Sequence, residues 1–349
     1  MIAVTIGAGP PKAGAAAAAT IIVPTQRPTI QSAIDAASAG DVIYVLPGTY
    51  LENIDFKGKD VWLQGFGPGV TIIDGARKGP VVSFTRGESS AAVLRGFTIR
   101  NGMTSAVHNL MGGGVLIVDS SPTIMENQIT ANHGVQGIGV GVERGAPLIY
   151  RNEISWNRPD TGDIGRTNGY GGGLHVGHNN GGPPLYVMLN KIVHNAADMG
   201  GGIGTNDAGD LYLWGNNIDH NQAYYDGGAF AEINTTRPVF FSNTMTYNTA
   251  GDGSALWFSP VVTTPAVMVA NHVYGNWSSS LMGGNGRGVG IKLFSTTLTM
   301  SGNLFIGEPD HTMFQCEDRI YPSRLSFSED LILYQGGSII ENCAHVTGR

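Results

Sequence analysis

Cysteine is almost missing from this chain. Two residues in 349, Cys316 and Cys343, are too few for a disulfide-dense scaffold or a four-cysteine zinc site. Charge is sparse as well, at 13% Asp, Glu, Lys and Arg, about half the usual share. A net charge of −7 and a pI near 5.7 argue against a nucleic-acid partner held by counterion release. The same balance disfavours a polyanionic glycan unless a cation bridges the two. No run of eighteen apolar residues occurs, so no membrane-spanning helix is expected. What the chain has in excess is turn-formers: 52 Gly and 17 Pro, about a fifth of all residues, where roughly 12% is ordinary. Apolar content is normal at 42%, which separates the chain from disordered tails.

Residues 1–20 read as a flexible leader. Met1–Ala19 lacks a basic start, and Gly and Pro break its apolar stretch, so it does not look like a signal peptide. One helix is predicted, at 29–39, with Ile30, Ala33, Ile34 and Ala37 on one face. Thr29 stands at its N-cap and Gly40 at its C′ position. Beyond it the period drops to two, in short runs such as DVIYV, DVWLQ and VTIID closed by Gly or Pro.

The dominant signal is a repeat: Asn, any residue, an apolar residue, two more, then Asn. It runs from Asn127–Asn132 through Asn152–Asn157, Asn190–Asn195, Asn216–Asn221 and Asn243–Asn248 to Asn271–Asn276, with a decayed copy at Asn303. Successive steps are 25, 38, 26, 27, 28 and 32 residues, and glycine clusters follow most copies. Helix-free repeats of this length predict an all-β solenoid, a parallel β-helix of about ten coils. Stacked coils share one core that no single coil can bury. Inward Asn side chains at a repeated corner can bond from coil to coil. The β-helix is assigned to 21–310 with the 29–39 helix as N-terminal cap. Residues 311–349, where the repeat lapses, are assigned to a C-terminal cap. There Cys316 and Cys343 form either a disulfide or two buried thiols.

The segment PTIQSAIDAASAGDVIYVLPGTYLENIDFKGKDVWLQGFGPGVTIIDG, Pro28 to Gly75, resembles the opening of pectin-lyase-like right-handed parallel β-helix proteins. GFTIRNG (Gly96 to Gly102) and SSPTIMENQITANHG (Ser120 to Gly134) are similar to the repeats of bacterial secreted members. The resemblance covers about residues 20 to 310 and implies a right-handed coil, a secreted or cell-surface location and a polysaccharide or oligosaccharide partner. It does not choose an activity, because the family holds lyases, glycoside hydrolases, esterases, epimerases and non-catalytic surface proteins. Its best-known catalytic signatures are missing here: the aspartate-bearing DFIFG-like strand of pectin methylesterases, the NTD and GHG motifs of polygalacturonases, and the RxPxxR of pectate lyases. FFSN, Phe240 to Asn243, resembles a repeat of surface adhesins and keeps a non-catalytic reading in play.

Chemistry is sought where the regularity breaks. The 38-residue step holds an insert, Arg158 to Tyr170, with a second bulge at Gly177 to Pro184. Solenoid insertions map to loops on one face, often the binding face. Beside it stand Asp198, Asp226 and Asp252, each just before a glycine cluster, and stacked coils should bring them into rough register. Neighbouring coils put carboxylates about 5 Å apart and alternate coils about 10 Å, which brackets the spacings of glycosidase acid pairs. Crowded carboxylates also raise one pKa and so make a proton donor. The alternative is that each Asp braces its own turn. His175 is a candidate base. Trp156, His194, His220 and Tyr247 form a further column, read either as a sugar-binding face or as a ladder supporting the turn. Arg166 and Lys191 are the cations for an acidic sugar. No cofactor is required, although Asp160, Asp163, Asp207 and Asp210 are oxygen ligands suited to Ca²⁺. Hydrolysis of a polysaccharide is the favoured activity. A lyase or epimerase with a cation, an adhesion solenoid, and an unrelated small-molecule enzyme beside the insert are the alternatives.

Overall fold

The computed structural model describes residues 18–104, 111–160, 169–234, 236–259, 266–278, 289–307, 311–317, 322–333, 338–343 and 345–348. They form a right-handed parallel β-helix. One sheet of thirteen strands runs from Thr20–Val23 to His345–Thr347. A second, of eleven, runs from Ile54–Asp55 to Ile340–Glu341, and a third, also of eleven, from Gly48–Tyr50 to Leu331–Leu333. A short fourth sheet of four strands, Ala196–Met199, Gln222–Asp226, Thr249–Ala250 and Trp277–Ser278, forms along one corner.

The repeat maps directly onto a coil. Its apolar member, Ile129, Ile154, Ile192, Ile218, Met245, Val273 and Phe305 in turn, forms one buried column of the core. The two Asn positions flank a three-residue strand and close its corners. Asn216 shows the pattern. Its Oδ1 accepts from the Asn190 backbone N–H at 3.0 Å and from Asn190 Nδ2 at 3.1 Å. Its Nδ2 donates to Val187 O at 2.8 Å and to Asn243 Oδ1 at 2.9 Å. The residue before each Asn adopts the left-handed conformation: Arg151, Leu189 and Ser242 before the first, Trp156, His194, His220 and Tyr247 before the second, all with φ between 52° and 57°. That conformation costs a non-glycine residue about 1–2 kcal/mol. The four bonds of the following amide offset it.

The N-terminal helix covers Ile30–Ala36, shorter than the span expected from sequence. Thr29 caps it in a reciprocal box with Ser32, while Ala37, in extended conformation, ends it in place of Gly40. Ile30, Ala33 and Ile34 plug the open end of the core. Glu52 accepts from the Ile30 and Gln31 N–H groups at 2.9 Å, and Lys59 Nζ donates to the carbonyls of Ile34, Asp35 and Ala37 at 2.8 Å. An acid at the helix start and an ammonium at its end match the helix dipole.

At the other end, residues from 311 onward extend the three sheets with strands Thr312–Glu317, Arg324–Ser326, Leu331–Leu333, Ile340–Glu341 and His345–Thr347. The longest sheet thus outruns the ten coils read from the repeat, because Asn gives way to other residues while strand pairing continues. Cys316 and Cys343 form a disulfide, with Cα atoms 4.9 Å apart. In the glycine-rich strands Phe230, Leu256 and Phe258 face the core, and Trp257 faces out. Between Phe230 and the outer positions lies Glu232, fully buried at an inward site, its Oε1 accepting from Thr236 N at 3.3 Å.

Candidate functional site

The acidic corner lies along the short fourth sheet. Asp226 and Asp252 stand on adjacent coils, bridged in parallel register, and the Gly227 N–H donates to Asp252 O at 3.1 Å. Gly227 lets the chain fold back immediately after Asp226. Its φ is +66°, and a Cβ there would sit 2.3 Å from Phe230 O. Asp198 does not join the pair. Gln222–Asp226 carries one more residue than Ala196–Met199 across their pairing, which sets Asp226 beside Met199. Asp198 is fully buried, and its Oδ2 accepts from Gly169 N at 3.3 Å. The expected column of three acids is therefore a pair plus a buried neighbour on an offset register.

Electrostatics make the pair unequal. Burial, then the charge of Asp252, push the Asp226 carboxyl up to about 7, against the pull of Lys292. Asp252 is ion-paired through Oδ2 with Lys292 Nζ, and its Oδ1 accepts from Gly253 N at 3.1 Å. The Lys292 side chain is only 7% exposed. Glu317 Oε2 stands 3.5 Å from its ammonium, and the Phe294 ring 4.9 Å away. Sequence reading missed Lys292 and Glu317. They lie 40 and 65 positions after Asp252, on a strand pair, Val289–Phe294 and Thr312–Glu317, that carries no copy of the Asn motif.

His175 lies on the outer side of the second sheet, in register with Gly141 and Gly204, yet is 3% exposed. Burial holds its imidazole down to about 4, against a hydrogen bond to the Gly204 backbone. Its ring stands 6.0 Å from that of Tyr170, and its Nδ1 has no hydrogen-bond partner. Neutral and enclosed, it is poorly placed to act as a base on a solvent-borne sugar.

The column of rings forms as the spacing predicts, but its geometry is that of a ladder. Trp156 and His194 stack at 4.4 Å with planes 16° apart. His194–His220 and His220–Tyr247 follow at 5.2 and 5.1 Å. Trp156 and Tyr247 are still about half exposed, and Arg158 lies 5.9 Å over the Trp156 ring. His220 Nδ1 is 2.7 Å from Asp219 Oδ2. Lys191 stands on the third sheet, 3.3 Å from Glu153 Oε2. Arg166 and Asp163 lie outside the described residues.

Of the oxygen ligands considered for Ca²⁺, Asp160 pairs with Arg77 and has His133 Nδ1 at 3.2 Å. Asp210 pairs with Arg237, whose hydrogen bond holds its carboxyl below the usual range. Asp207 sits at a left-handed turn with φ 60°. Among the described residues no three His, Cys, Asp or Glu side chains gather as a metal site. The second bulge is braced by Asn179, whose Nδ2 donates to Pro183 O at 3.0 Å. Clefts lined by Tyr274, Asn276, Gly290 and His311, and by Glu88, Asp119, Pro183 and Tyr186, contain neither Asp226 nor Asp252.

No known protein family model matches the chain. A probable pectinesterase/pectinesterase inhibitor 17 of Arabidopsis thaliana is 42% identical to it over 81 residues, covering 21% of this chain and 16% of that protein. The chain therefore matches only about a sixth of that relative's length. A solved chain, ORF18 of Geobacillus virus E2, aligns with 88% of this chain and 57% of its own length at 12% identity and a TM-score of 0.33. At that score nothing is carried across.

Proposed function

We propose that this protein is an extracellular carbohydrate-active enzyme working on a pectin-related polysaccharide, as a glycoside hydrolase with Asp226 as general acid and Asp252 as its carboxylate partner. The observation that carries the reading is the in-register pair on adjacent coils, one member holding a proton near neutral pH and the other paired with an ammonium. An acid poised there can protonate a glycosidic oxygen. Adjacent coils stand about 4.8 Å apart, close to the roughly 5–5.5 Å of retaining enzymes, so retention of anomeric configuration is expected. The local likeness to a probable pectinesterase supports a pectin-type substrate, and the disulfide suits an oxidising, extracellular setting. That likeness also favours a second reading, ester hydrolysis on the same polymer by the same two carboxylates.

One assay separates the readings. Purified protein is incubated with methyl-esterified and de-esterified pectin fragments, with and without Ca²⁺, and three products are followed. Reducing ends without new absorbance near 235 nm mark hydrolysis, methanol marks the esterase, and the absorbance marks elimination. Hydrolysis should fall as pH rises through about 7, where Asp226 loses its proton. Asp226→Asn should lower it by about a hundredfold or more. Full activity in a folded Asp226→Asn variant sinks the assignment. No product from wild type on any fragment, together with retained glycan binding, moves the protein to the adhesion class.

A further inference from the structure

We propose that Lys292 is the positioning residue of the acidic corner: its ammonium, held against Asp252, keeps that carboxylate charged and leaves the pair's one proton on Asp226. The inference rests on reading Asp226 and Asp252 as acid and partner, and it says what makes two chemically identical side chains differ. Two carboxylates on neighbouring coils resist joint ionisation, because each charge raises the cost of the other. With nothing else nearby, the proton would be shared between them, and the pair would titrate as a unit without a defined donor.

The structure breaks that symmetry from a third coil. Lys292 stands on the outer face of Val289–Phe294, in register with Trp257 on one side and Gln315 on the other. From there its Nζ meets Asp252, not Asp226. Among the described residues, the charged and titratable groups facing it are Asp252 in contact, Glu317 at 3.5 Å, and Asp226 beyond Asp252. Glu341, one coil further, is engaged by Gln315 at 3.4 Å. Glu317 is 40% exposed, so water screens its pull, whereas Asp252 is 17% exposed and takes the larger share of the ammonium's field. The Phe294 ring also flanks Nζ, 4.9 Å away. The ammonium thus has two carboxylate neighbours, of which Asp252 is the nearer and the more buried.

The test is a titration without substrate, reading the aspartate side-chain carboxyls by carbon-13 NMR in wild type, Lys292→Met, Lys292→Arg and a control, Lys57→Met, which removes a surface pair with Asp35. Lys292→Met is expected to raise the Asp226 midpoint by about one pH unit or more, a tenfold gain in proton affinity. Lys292→Arg keeps the charge and should stay within about 0.3 of wild type, as should Lys57→Met. An unmoved midpoint in Lys292→Met, an Asp252 signal that does not move together with that of Asp226 there, or an equal shift in Lys292→Arg, overturns the proposal. Should Lys292→Met fail to fold, Glu317→Gln decides. With its competitor gone, Lys292 should lower the pair's midpoint by a few tenths, and no shift or a rise overturns the proposal. Because no substrate is present, the result stands whether or not wild type cleaves a glycan.

Discussion

The Asn corners and the acidic corner occupy the same solenoid and obey opposite rules. In the Asn columns one residue type recurs, and each amide is satisfied by its equivalents on the adjoining coils. In the acidic corner the register runs Tyr170, Met199, Asp226, Asp252, a different side chain at almost every step. The first arrangement is a fastening: repetition solves one bonding problem many times. The second gathers unlike groups along one corner, and among the described residues only there do two carboxylates and a buried lysine meet. Within one scaffold, repetition marks where the fold is held, and departure from repetition marks where unlike ionisable groups are brought together.

Breaking the fastening should have the largest effect. Asn216→Ala removes four hydrogen bonds in a buried column and strands groups on both neighbouring coils, at a cost of about 3 kcal/mol or more in chemical denaturation. A loss below about 1 kcal/mol would place the columns among ornaments of the turn.

The acidic corner should respond to pH instead. Asp226 keeps its proton in the folded chain up to about 7 but loses it near 3.8 when unfolded, so it lowers stability progressively as pH rises from about 4 to 7. His175 does the reverse. It stays neutral in the fold down to about 4 while the unfolded chain protonates near 6.5, so it lowers stability as pH falls across that range. Asp226→Asn should therefore make the protein relatively more stable toward pH 7, and His175→Gln relatively more stable toward pH 4. Each difference should be worth on the order of 3–4 kcal/mol across its window in thermal or denaturant unfolding. Parallel pH profiles for the two variants would contradict the burial assigned to both. The smallest effect belongs to the exposed pair Lys191–Glu153: Lys191→Met should change stability by about 0.5 kcal/mol or less.

Much of the architecture was legible because its signal is carried by spacing. The Asn motif, the apolar residue between its members and the glycine clusters named a parallel solenoid, and the helical spacing of Ile30, Ala33, Ile34 and Ala37 named its capping helix. The aspartates stand 8, 10 and 9 residues after the first Asn of their repeats, an inequality visible by counting, but where the extra residue of Gln222–Asp226 is absorbed, and so which side chains pair, was not legible. Lys292 was hidden by distance along the chain, and Glu232 by an alternation whose phase glycine obscures. The aromatic column was placed correctly, but only coordinates tell ring faces from ring edges. The final coils escaped notice because strand pairing needs no particular side chain, so the motif decays there at no cost to the backbone.

One substitution in that decay has a meaning of its own. The first Asn column runs from Asn127 to Asn303, and the next position is Asp330, whose Oδ1 accepts from the Asn303 backbone at 2.8 Å and from its amide at 2.7 Å. An amide both gives and takes, so a row of them has a direction and always owes a donor to whatever comes next. A carboxylate only takes. Asp330 closes the row with nothing left to hand forward, its second oxygen accepting from Ser328 N at 2.9 Å. The change of a single atom, nitrogen to oxygen, serves as the full stop of a sentence that could otherwise have run on.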